Sequence, residues 1–271
     1  MKKKIALVLA IIVALGAILA FAGCNKQDGT DKDTKNSDLA YVQDNGKLVI
    51  GMTVYEPMNY KDKATGEWTG FDTEFAQAVC AELGVKAEFF ELSDWETKFL
   101  ALNSKSVDCI WNGMTITDEA LKNASVSDPY VKNAQVIVAN KDTAAKYSSL
   151  EEMKDLKFAV EGESAGHKEI KGKVADENIA VLANQSDALL EVASGSADAC
   201  VIDITMANNM TGEGTSYATL TQVCSLNEEE YGIAFRKDSD ITAKVNEIMA
   251  EMKANGKLDA LAEKYDLTLV K

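Results

Sequence analysis

Apolar residues along this chain follow two rhythms. Short apolar runs at 48–52, 85–90 and 107–111 read as strands. Between them, Phe71, Phe75, Ala78, Val79 and Leu83 recur at helical spacing, and Gly84 stops that helix. Residues 97–102 read as a short second helix. The order strand–helix–strand–helix–strand predicts a mainly parallel sheet covered by helices. A second set repeats the order, with strands at 157–161, 180–182 and 199–202 and helices at 167–174 and 186–193. The sets share an echo: SKSVDCI at 104–110 and SGSADAC at 194–200 both lead from a helix end into a buried strand. Two similar α/β lobes are therefore expected. A glycine-free apolar strand at 135–139 lies between them, and 223–235 is a second candidate crossing. The expected boundaries are 44–135 plus 232–271 for the first lobe and 141–226 for the second, with hinge strands at 136–140 and 227–231. The tail, 241–265, is helical in pattern and broken at Gly256.

The pattern ahead of the lobes is different. Lys2, Lys3 and Lys4 precede an uncharged apolar run, 5–22, which ends at Gly23-Cys24. This is the layout of a signal peptide over residues 1–23. An uncleaved anchor is the alternative, since the run falls just short of the ~20 residues that span a bilayer. Both readings place the rest of the chain outside the cell. Residues 25–37 have no apolar side chain and cannot bury a core, so 24–37 is a disordered tether.

The net charge of −15 disfavours nucleic acid as a partner, and loss of the leader lysines would deepen it. It suits an exported soluble protein and draws cations towards the surface. Cys80, Cys109, Cys200 and Cys224 lack CxxC spacing, and His167 is the only histidine, so no metal site and no cofactor are expected. The cysteines read as small buried hydrophobes, although the compartment leaves an oxidised pair open.

Five short motifs carry more chemistry: Tyr55-Glu56-Pro57, Thr69-Gly70-Phe71-Asp72, Gly113-Met114-Thr115-Ile116-Thr117, Ser127-Asp128-Pro129-Tyr130 and Tyr231-Gly232-Ile233-Ala234-Phe235. Together they resemble the polar amino-acid family of extracellular solute-binding proteins that feed ABC importers (family 3). The resemblance runs from about Lys47 to the C-terminus, and Phe21-Ala22-Gly23-Cys24 resembles a bacterial lipobox. It implies a two-lobed periplasmic-binding-protein-like (type II) fold with a two-strand hinge and a ligand cleft between the lobes. It also implies a monomer lipidated at Cys24, held on the extracellular face of the bacterial cytoplasmic membrane and delivering a small polar amino acid or amine to a permease. By the same resemblance Tyr55 and Trp95 are aromatic walls of the cleft. Asn112, Gly113, Met114 and Thr115 form the segment that meets the ligand head group, with Glu163 and Ser164 opposite. Asp203 takes the ammonium. Trp111 has no role in this scheme and is as readily core.

The departures bear on the cargo. A zwitterion in a desolvated cleft needs matched charges. The family's arginine, whose fork suits a carboxylate, is replaced by Ala120. Glu163 stands at a position the family gives to glycine, and Met52 replaces a common acidic residue. Three readings stay open: a ligand without a carboxylate, held by Asp203 and Glu163; an amino acid whose carboxylate is met by Arg236 or a lysine from elsewhere; or a Glu163 that points to solvent. Catalysis is not expected, because no Ser–His–Asp order, metal cluster or phosphate loop is present and His167 reads as a helix-start residue. A binding protein or sensor without a transport role is the remaining alternative.

Overall fold

The computed structural model describes residues 37–271. The predicted leader, Cys24 and the tether as far as residue 36 lie outside the described residues. The strands, in chain order, are β1 (Lys47–Met52), β2 (Tyr60–Lys61), β3 (Trp68–Thr69), β4 (Lys86–Glu91), β5 (Cys109–Thr115), β6 (Ser125–Val126) and β7 (Val131–Asn133). They continue with β8 (Gln135–Asn140), β9 (Phe158–Glu161), β10 (Ile179–Leu182), β11 (Ala199–Asp203), β12 (Leu220–Ser225) and β13 (Glu229–Phe235).

Two open sheets result, beside a small two-stranded β2-β3 sheet. One is six-stranded in the order β4-β1-β5-β13-β6, with β7 also on β13; the other is five-stranded in the order β10-β9-β11-β8-β12. In each, the strands joined by helices pair in parallel: β4, β1 and β5 in the first sheet, β10, β9 and β11 in the second. The remaining strands add antiparallel. The parallel character thus comes from the two repeated β-α-β-α-β sets, and the antiparallel half from strands that cross between lobes.

The crossings differ from the expected hinge strands. Residues 136–140 belong to β8, which is paired on both edges by β11 and β12. The chain passes from the first sheet to the second at Ala134, between β7 and β8, and returns over 226–228, before β13 pairs with β7. Two other boundaries moved. β5 runs to Thr115 because Met114 and Thr115 pair with Gly232 and Tyr231. The helix expected at 167–174 is Ala165–Ile170; Ser164 caps its start and Gly172, at φ 76°, follows its end.

The predicted Phe71–Leu83 helix ends as expected in a left-handed Gly84 (φ 74°). It lays Phe71 and Phe75 against Trp111 and Tyr130, with Phe75 edge-on to Trp111 at 4.9 Å. Trp111 is core. The tail helices, Ile241–Ala254 and Lys257–Lys264, break at Gly256 (φ 76°) and join the same core through Val245, Ile248 and Leu258. Cys80, Cys109 and Cys200 are buried free thiols, and burial pushes all three up. Among the described residues no helix is long and apolar enough to cross a membrane.

Candidate functional site

The carboxyl ends of β1, β5, β9 and β11 converge, as the crevice rule for open α/β sheets requires. A cavity opens there between residues of the two sheets. Tyr55, Trp95, Asn112, Gly113, Met114, Thr115, Glu163, Ser164 and Asp203 all line it, and so does Ala120. About 30 Å³ of free space remains within it.

The Asn112 carboxamide and the Gly113 N–H build the site and are already bonded within it. The Asn112 Oδ1 accepts from the Thr53 N–H and hydroxyl, each at 2.9 Å, while its Nδ2 donates to the Thr53 carbonyl (3.0 Å) and Asn59 Oδ1 (2.8 Å). That uses the full capacity of a carboxamide. The Gly113 N–H donates to Asp72 Oδ2 at 2.6 Å. Its φ is 55°, and a Cβ there would lie 2.7 Å from Tyr55 Cε1, so the Tyr55 ring can lie on this backbone only because the residue is glycine. Asp72 also accepts from Tyr130 at 3.0 Å, and burial holds its carboxyl at about 7.

Three hydroxyls tie the sheets together beside this floor. Tyr55 bonds Tyr231 at 2.5 Å and also Thr205; Thr205 bonds Tyr231 at 2.8 Å. Thr205 opens the helix that follows β11, whereas Tyr55 and Tyr231 belong to the first lobe.

Asp203, at the end of β11, is 3% exposed. Its Oδ1 accepts from Asn133 Nδ2 at 2.7 Å and from Gln135 Nε2, and its Oδ2 from Gln185 Nε2 at 2.6 Å. These amides hold the carboxylate in place but supply no positive charge. Burial, and then the nearby Glu229 carboxylate, raise its pKa to about 7. Glu229 itself accepts from Thr115, Asn133 and Gln135 at 2.6–2.8 Å. Thr115 therefore serves the acid layer through its hydroxyl.

Two buried charged groups here were not singled out from the sequence. Glu161, ending β9, is 4% exposed and accepts a 3.4 Å bond from Thr53 across the cleft; burial and then Asp203 raise it to about 8. Lys98 is 5% exposed, and its Nζ lies 4.8 Å from the Trp95 ring centroid and 5.2 Å from that of Phe99. It donates to the Trp95 carbonyl at 3.2 Å and across the cleft to the Glu163 carbonyl at 3.5 Å. Burial, then Lys168, lower its pKa to about 8. A lysine that opens a short helix gives no sequence signal of burial. Only the closing of the second lobe over it creates that.

The departures resolve into specific positions. Ala120 is 2% exposed in an apolar cluster with Trp95, Leu102 and Met114. The neighbouring Glu119 pairs across the cleft with Lys168. Glu163 (φ 52°) lines the cavity, but its carboxylate lies 3.9 Å from the exposed Lys171. Ser164 accepts from the His167 N–H at 3.1 Å, so its hydroxyl is a helix cap, and His167 Nδ1 accepts the Glu163 N–H at 3.3 Å. Arg236 is far from any such role: it bonds Asp38 (2.8 Å), the Val107 carbonyl (2.9 Å) and Asp108 (3.1 Å) at the opposite end of β5. The reading in which Arg236 meets a ligand carboxylate is therefore overturned. A larger cavity, about 920 Å³, sits where the chain crosses between sheets, lined by Ala134, Glu228, Glu230 and Asp266; none of the sequence-selected residues reaches it.

The model of the bacterial extracellular solute-binding proteins, family 3, matches residues 48–268. The chain belongs to this family. It is 29% identical over 98% of its length to 97% of the ABC transporter glutamine-binding protein GlnH of Bacillus subtilis. It is 30% identical over 95% of its length to 96% of the arginine-binding extracellular protein ArtP of the same organism. Among solved structures, a mutant of ArgBP from T. maritima aligns with TM-score 0.77 at 30% identity, covering 84% of this chain and 98% of that one. An ancestral amino acid-binding protein described as a precursor of cyclohexadienyl dehydratase aligns at 0.76 and 34%, covering 84% and 99%. The two-lobed architecture and the ABC-transporter association read from the motifs are those of the family.

Proposed function

We propose that this member captures a small polar amino acid or amine between its lobes, outside the cell, and hands it to an ABC importer rather than transforming it. Asp203 carries the reading. It is a buried carboxylate at the end of a strand, fixed by three carboxamides, and facing a cavity walled by Tyr55 and Trp95. An ammonium group delivered there would replace solvent that the closed site excludes, and aromatic faces would stabilise it further. Closure would pivot at Ala134 and 226–228, since among the described residues only these segments join the two large sheets. With so little free space between the lobes, ligand entry requires them to part. Lipidation at Cys24 would keep the protein beside its permease, and loss of membrane retention in Cys24→Ala tests that part.

The function is tested by a thermal-shift screen of the common L-amino acids together with their decarboxylated amines. A ligand at 100 times its dissociation constant stabilises by about 2.7 kcal/mol. Asp203→Asn is expected to weaken any hit by roughly 30-fold or more, because it removes the charge that this amide cradle presents to the cavity. No shift from any compound would overturn the reading. Turnover of a hit to a new product would replace binding by catalysis.

A further inference from the structure

We propose that Lys98 is the anchor for a ligand carboxylate, so that the cargo is an α-amino acid rather than its amine. This rests on the cleft being the capture site and names its substrate class. Two cations line the cavity, and they differ in kind. Lys168 is already matched by Glu119, and both side chains are over a third exposed. Lys98 is buried and forms no ion pair with a carboxylate among the described residues. Its ammonium has three donors; the protein supplies two carbonyls, one of them at the long distance of 3.5 Å. A buried cation that feels Glu119, Glu161 and Glu163 only at longer range, with none within ion-pair distance, is expensive to keep. An incoming carboxylate would supply the missing charge.

The neighbourhood fits that role. Lys98 lies over the Trp95 ring, and Trp95 shares its apolar cluster with Ala120. Ala120 lines the same cavity, and Lys98 opens the short helix (Lys98–Asn103) that precedes it in the chain. Asp203 and Glu161 lie in the other lobe. A zwitterion bridging the two would match opposite charges across the cleft and hold it shut. A bare amine would meet the same two acids but leave Lys98 unmatched. Glu163 does not occupy this place, because its carboxylate lies towards Lys171 and its hydrogen bond to Lys98 is made by the carbonyl.

Lys98 could instead be a plain strut that closes the cleft through the Glu163 carbonyl. Calorimetry with pairs that differ only in the carboxylate separates the two roles: L-arginine with agmatine, L-histidine with histamine, and each further hit from the amino-acid screen with its amine. Wild type is expected to bind the amino acid of a pair at least tenfold more tightly. Lys98→Met keeps the length and apolar stem. It is expected to lose on the order of 100-fold for the amino acid and to leave the amine within threefold. Lys98→Arg should retain most of the preference. In Lys98→Leu/Ala120→Arg, a guanidinium from position 120, which lines the same cavity, should recover a substantial part of it. Equal losses for both members of a pair would show a strut and overturn the inference. A wild type that binds amines and rejects amino acids would overturn it too, while leaving the capture function standing. A wild type that binds neither class would overturn both.

Discussion

At the scale of single residues, the buried acids dominate. Glu161 has the same chemistry as any surface glutamate, yet its position at the end of β9, under Asp203, moves its proton affinity to about 8. Its carboxyl binds a proton more tightly folded than unfolded. Between the ordinary value of 4.5 and about 8 the native state therefore holds the extra proton, and stability falls as pH rises through that window. Asp203 and Asp72, both near 7, add to the same slope up to about pH 7. Glu161→Gln should reduce the slope by close to one proton between pH 5 and 8. It should also raise stability at pH 8 by roughly 3 kcal/mol. Urea melts across pH 5–8 check both, and an unchanged slope would show that Glu161 is ionised in the native protein. The sequence points to Asp203 through its strand-end position and its motif. Glu161 and Lys98 lack such a marker, because burial depends on the opposite lobe.

At the scale of elements, Gly113 shows how a strand can be interrupted for a ring. β5 and β13 lose register between Gly232 and Ala234, opposite the stretch that contains Asn112 and Gly113. The chain there turns through a left-handed φ and brings its N–H onto Asp72. Gly113→Ala should cost about 1–3 kcal/mol from backbone strain and displace Tyr55, weakening ligand binding along with stability. Both thermal melts and titration calorimetry read this out; a silent substitution would mean that the local backbone relaxes freely. The helix starts were partly legible. The spacing of 167–174 predicts a helix there, whereas the structure starts it at Ala165 behind the Ser164 cap and ends it before the left-handed Gly172.

At the scale of the whole molecule, closure is held by a few groups that reach across the cleft. The Tyr55–Thr205–Tyr231 hydroxyls, the Glu119–Lys168 pair and the Ser186 hydroxyl on the Val54 carbonyl (3.3 Å) join parts that the sheets keep separate. Thr205→Val removes one hydroxyl at nearly constant volume. It should leave the cores of both lobes intact and shift the ligand-free protein towards open forms. In small-angle scattering this would appear as a larger radius of gyration that ligand restores. Affinity should fall by about tenfold, the worth of one buried hydrogen bond. A wild-type radius with and without ligand would show that these hydroxyls do not hold the cleft.

By itself the sequence determined the lobes, most strands and helices, and the family, because these depend on local periodicity, turn residues and short motifs that retain their meaning wherever the chain goes. It also marked most residues around the cleft. Tertiary structure alone decided where the chain crosses between sheets, since 135–139 is equally apolar as a connector or as an interior strand and only its pairing with β11 and β12 distinguishes them. It decided, too, which charges face each other. Glu163 lies towards Lys171, Arg236 serves the far end of β5, and Lys98 is enclosed with Glu161 and Asp203 in one cavity. Electrostatic partners are set by distance in space and by the loss of solvent, and neither is written in the spacing of residues along the chain.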